Sequence, residues 1–66
     1  MVLSREYVYA LYPLGVKDYH NYSYIEIFNN PNDAIQYRKN NNLKVDIIEF
    51  MLEHNYIINE RSIHSQ

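Results

Sequence analysis

Large apolar and aromatic side chains alternate with neighbours in two stretches near the N-terminus, Tyr7-Val-Tyr9-Ala-Leu-Tyr12 and Tyr22-Ser-Tyr24-Ile-Glu-Ile-Phe28. Period-two alternation rich in aromatic and β-branched residues predicts strands, here over residues 6–14 and 22–28. In the first, Val8, Ala10 and Tyr12 share one face, and Tyr7, Tyr9 and Leu11 share the other. In the second, Ser23, Ile25 and Ile27 oppose Tyr22, Tyr24, Glu26 and Phe28. Pro13 and Gly15 close the first strand. Residues 15–21 then form a loop, longer than the roughly two to five residues usual in a hairpin.

Polar punctuation marks the next element. Asn30 suits a helix N-cap, because its side-chain oxygen can accept from a free first-turn amide. Pro31 suits the first helical position, where its missing donor costs nothing. Asp33 places negative charge at the positive end of the helix dipole, and Arg38 and Lys39 place positive charge at the other. Asn40-Asn41-Asn42 ends the helix, since asparagine tolerates the left-handed conformation. Residues 43–52 fit two readings. Leu43, Val45 and Ile47 alternate with polar residues, and Val45, Ile47, Ile48 and Phe50 favour a strand. Ile48, Met51 and Leu52 also fall near helical spacing, so a second helix over residues 44–54 is the alternative. The strand is preferred. Glu53-His54-Asn55 then turns the chain into a short last strand over residues 56–59, and residues 61–66 are expected to fray. The expected fold is α+β: one domain over residues 1–66, with a small antiparallel sheet of three to four strands and one helix on one face.

Counting faces leads to an interaction reading. The helix is expected to cover Val8, Ala10, Tyr12, Ile25 and Ile27, with Ala34, Ile35 and Tyr37 completing that core. The opposite face would then carry Tyr7, Tyr9, Leu11, Tyr22, Tyr24 and Phe28. A sheet with one wet face normally alternates apolar and polar positions, and this one does not. Contiguous exposed apolar area usually marks an interaction site, and tyrosine suits one because its ring buries while its hydroxyl keeps a partner. A second copy of the chain is the expected cover, giving a homodimer that acts as the binding unit; a different protein on this face is the alternative. The bland reading is a solvated sheet with tyrosines lying flat on it.

Composition narrows the chemistry. Sixty-six residues with no cysteine exclude disulfides and thiolate metal sites. A chain this short is marginal alone, which also favours association. Net charge is −2, with six Lys and Arg spread along the chain. Phosphate binding needs cations in a concentration this chain lacks, so the composition argues against nucleic acid. No apolar run reaches the roughly 18 residues of a membrane span, and the N-terminus lacks a signal-peptide layout, so a cytoplasmic location is expected. Gly15 is the one glycine, which excludes glycine-rich phosphate loops. The loop residues Lys17, Asp18, Tyr19 and His20 are the remaining candidates, with His20 as a conceivable base. No nucleophile with a recognisable motif accompanies it, and an ordinary surface histidine is the favoured reading. Glu60 and His64 are four apart but make a poor two-ligand metal site. Glu49, Glu53 and Glu60 are too dispersed for a carboxylate pair. No catalytic residue, cofactor or metal site is assigned.

The stretch Ile25-Glu-Ile-Phe28-Asn-Asn30-Pro-Asn-Asp-Ala34-Ile-Gln-Tyr37, followed by Leu43-Lys-Val45, resembles a strand–helix–strand pattern found in very small proteins of phages and mobile elements. Size, the absence of cysteine and a composition rich in Asn, Ile and Tyr are similar to those of phage accessory proteins, among them inhibitors of bacterial defence systems. That resemblance implies a non-enzymatic protein that blocks a host protein by direct binding. It also leaves open a sponge for a signalling nucleotide, held at a dimer interface. A nucleic-acid-binding module is the third alternative. No functional residue is carried over from any family.

Overall fold

A computed structural model describes residues 5–63. Four strands and one helix follow in the order β1 (Arg5–Pro13), β2 (Glu26–Phe28), α1 (Pro31–Asn40), β3 (Val45–Glu53) and β4 (Tyr56–Ile63). The strands form one sheet in the order β2-β1-β3-β4, antiparallel throughout. This is the expected α+β architecture, and residues 45–53 are strand rather than helix.

The helix begins and ends where its polar residues dictate. The Asn30 side chain accepts from Asn32 N at 2.7 Å, with Pro31 in the first turn. At the other end Asn42 adopts φ 53°. Its amide donates to Lys39 O and that of Leu43 to Arg38 O, which satisfies two of the last helical carbonyls. Leu43 is thereby turned inward against the core.

The sheet buries residues on both faces. On the helix face Tyr9, Leu11, Val45 and Ile47 pack with Ala34, joined by Phe28, Ile35, Tyr37, Leu43 and Ile63. On the opposite face Ala10, Tyr12, Ile48 and Phe50 pack with Val8, Val16, Tyr19 and Leu52. Leu11, Ile47 and Ile48 are fully buried, and each such side chain contributes about 1.5–3 kcal/mol.

The helix therefore covers the face opposite to the one expected. Tyr9, Leu11 and Phe28 lie under it or beside it, while Val8, Ala10 and Tyr12 face away. Alternation assigns residues to two sets but not a set to the helix. The register with β3 decides, because Leu11 stands opposite Ile47 and Pro13 opposite Val45. Those β3 residues lie beneath Ala34.

Two strands have other lengths than expected. β2 keeps only Glu26–Phe28, and residues 14–25 form one long connection. β4 extends to Ile63, so Arg61, Ser62 and Ile63 are strand rather than frayed tail; residues 64–66 lie outside the described region. Register explains the extension: Arg61 sits opposite Glu49, and Ile63 opposite Ile47. A bulge between Met51 and Leu52 sets the latter against Ile57 and leaves Ile58 as the extra residue. His54 and Asn55 turn the hairpin with φ 52° and 69°, the positive values that a two-residue hairpin turn matched to strand twist requires.

Candidate functional site

Residues 14–25 leave β1 through a turn in which Val16 N donates to Pro13 O. Gly15 takes φ 85° there, a conformation that L side chains resist. The segment then crosses the face away from the helix. Tyr19 packs on Tyr12 with the rings tilted 50° and their centroids 5.0 Å apart, and meets Phe50 edge-on at 6.1 Å. The Tyr12 hydroxyl donates to Tyr19 O at 3.3 Å. Beyond it, His20 Nε2 comes within 3.7 Å of Glu60 Oε1 on β4. The loop thus spans from one edge of the sheet to the other and plugs its centre with one aromatic ring.

That lid is incomplete. Beside it runs an apolar groove of about 200 Å³, walled by Tyr19, His20 and Tyr24 of the loop and by Val8, Ile27, Leu52 and Ile57 of all four strands. Tyr24, Ile27 and Ile57 are exposed. Its floor is Ala10, Tyr12 and Phe50, so a molecule seated there would rest directly on the core.

A second depression, about 360 Å³, lies on the helix face beyond the end of α1, between Tyr7, Tyr9, Glu49, Met51, Asn59 and Arg61. Three of its polar side chains, Tyr9, Glu49 and Arg61, bond to one another. Tyr9 donates its hydroxyl to Glu49 Oε2 at 2.9 Å, and Arg61 Nε donates to Glu49 Oε1 at 2.7 Å. The Arg61 and Tyr9 hydrogen bonds hold the Glu49 carboxyl below its usual range against the opposing effect of burial. Burial, reinforced by Glu49, pushes the Tyr9 hydroxyl up. Glu49 is thus a settled anion and Tyr9 a settled phenol, a poor basis for acid–base chemistry near neutral pH. The trio ties β1, β3 and β4 in register, since Tyr9 faces Glu49 and Glu49 faces Arg61. The larger hollow is built around this strand-bridging trio, and the smaller, apolar one is taken as the candidate site.

The residues singled out from sequence are divided between these places. Leu11 and Phe28 belong to the core under the helix, and Tyr9 is buried in the cross-strand trio. Tyr7 is exposed on that same face. The association face drawn through Tyr7, Tyr9, Leu11, Tyr22, Tyr24 and Phe28 therefore does not exist as one surface. Tyr24 alone of that set lines the groove, and Tyr22 is exposed on the loop. Of the loop candidates, Tyr19 and His20 line the groove. Lys17 is exposed, and Asp18 accepts from the Asn21 side chain to tighten the loop. Val8, Ile27, Leu52 and Ile57 were missed as site residues. The alternation that set Val8 apart from Tyr7 was the available signal.

Among the described residues no group of three His, Asp or Glu could hold a metal ion, and no helix is long and apolar enough to cross a membrane. Comparison with protein-family models, with curated protein sequences and with solved structures finds no match to this chain.

Proposed function

We propose that the chain is a non-enzymatic binding protein that blocks a target protein by occupying its surface. The observation that carries this reading is the open apolar groove beside the loop lid, with Tyr24, Ile27 and Ile57 exposed along it. Apolar side chains that reach the surface around a well-packed floor are the usual anchor points of protein recognition. The mode agrees with what the resemblance to phage-encoded inhibitors of bacterial defence implies, namely direct blockade of a host protein in the host cytoplasm.

Affinity capture with the wild-type chain and with Ile57→Ser tests it. Wild type is expected to retain a target protein that Ile57→Ser loses. Equal retention by both would move the contact off the groove. Mass spectrometry of the denatured wild-type protein supplies the second arm: a stoichiometric nucleotide there would replace the blocking reading with that of a sponge.

A further inference from the structure

The charges of the sheet are sorted by face. Arg5 and Arg61 both point to the helix face, where each is paired, with Glu53 at 3.1 Å and with Glu49 at 2.7 Å. The strand charges on the groove face are Glu6, Asp46 and Glu60, all acidic. Each stands directly across from a groove residue: Glu6 from Leu52, Asp46 from Tyr12 and Glu60 from Phe50. His20 lies near Glu60, but at 3.7 Å and largely exposed. Among the described residues neither Glu6 nor Asp46 forms an ion pair. The groove is thus apolar at its centre, and the strand charges that flank it are all carboxylates, with His20 and Lys17 on the loop as the nearby basic residues.

From this rim we infer that the occupant of the groove is a basic amphipathic segment of the target protein, with apolar side chains that enter the groove and Lys or Arg beside them that meet Glu6, Asp46 and Glu60. The inference rests on the blocking function and adds the chemistry of the partner. A second copy of the chain fits poorly. Packing two such faces together would set carboxylates against carboxylates, which is costly across an interface. Residues 14–25 stand on this face and keep a second sheet from lying flat against it. Edge-to-edge growth through β4 is opposed too. Two-fold pairing that keeps the faces matched and is centred at the charged part of the strand sets Glu60 against Glu60 or Arg61 against Arg61, and the bulge at Ile58 disturbs the remainder. A nucleic acid would bring phosphates to the same carboxylates.

Three labelled peptides test the inference, each read by fluorescence anisotropy and by amide shifts of Val8, Ile27, Leu52 and Ile57. The first carries leucines flanked by lysine and arginine, the second replaces the cations with glutamate, and the third replaces the leucines with serine. The first alone is expected to bind and move the groove amides. Its affinity should fall about ten-fold in the Glu6→Gln/Glu60→Gln double variant, roughly three-fold per carboxylate, and should fall with added salt. Circular dichroism checks that the double variant is folded. Equal or tighter binding of the glutamate peptide would overturn the basic partner while leaving the groove as a binding site. Equal binding of the serine peptide would overturn it by showing charge attraction without the groove. A groove that ignores all three peptides, or a dimer in sedimentation that Ile57→Ser splits, would also overturn it.

Discussion

On one face of the sheet, α1 lays Ala34, Ile35 and Tyr37 against Leu11 and Ile47. On the other, the loop lays Val16 and Tyr19 against Tyr12 and Phe50. A helix satisfies its own backbone, so it can seal apolar side chains in a dry layer. Ten residues of helix reach only about 15 Å along strands that run about 30 Å, which is why Tyr7 and Met51 lie beyond its end. The loop has no such internal ladder. Its backbone is held by Val16 N to Pro13 O, Asn21 N to Asp18 O and Ile25 N to Leu11 O. Sparse backbone bonding and exposed side chains mark the low-stability end of a structure. The helix face is sealed where α1 lies on it, and the loop face is held by fewer backbone bonds.

The contrast breaks most sharply in the core. Leu11→Ala, under the helix, should cost about 2–5 kcal/mol, a large part of the roughly 5–15 kcal/mol that holds a whole domain; a denaturant midpoint measures it. Tyr19→Ala, in the loop, should cost less, about 1–2 kcal/mol for the lost ring contacts and burial. Its signature is local: amides of residues 16–22 should exchange faster while those of α1 keep their protection. Equal loosening of both would show that the two lids form one cooperative unit. Glu49→Gln should cost about 1 kcal/mol near neutral pH. Because the folded carboxyl titrates below its usual 4.5, its contribution is present above that value and lost as pH falls through the depressed one. The melting temperature of wild type should therefore decline in acid more steeply than that of the variant. Ile57→Ser, in the groove, should change stability by about 1 kcal/mol or less while abolishing capture of the target.

The helix was legible to its ends, because Asn30, Pro31 and Asn42 act locally through capping and backbone conformation. β3 was legible because Val45 and Ile47 alternate with polar neighbours and Ile48 and Phe50 add β-branched and aromatic side chains on the other face. The faces of β1 were not, since tyrosine occurs on both and a ring of that size fits core or surface alike. The loop hid its role for a similar reason. Tyr22 and Tyr24 continue the alternation of Glu26 and Phe28, yet both lie outside β2, which keeps only Glu26–Phe28. β4 looked polar beyond Asn59 because Glu60 and Arg61 find their partners, His20 and Glu49, at distant positions in the chain. A groove assembled from Val8, Ile27, Leu52 and Ile57 depends on the order β2-β1-β3-β4, which a linear pattern does not state.

The pairing of β1 with β3 also governs the order in which the molecule comes together. Tyr9 and Glu49 are 40 positions apart, whereas the β3–β4 hairpin closes through His54 and Asn55 alone. Hairpins form in about 1–10 microseconds, while contacts between distant positions must first overcome the entropy of closing the intervening chain. During synthesis β1 emerges early, with three residues of β2 as its nearest support. Most of β1 lacks a strand partner until β3 follows it, so closing β1 onto β3 is expected to be the slowest step in building this sheet.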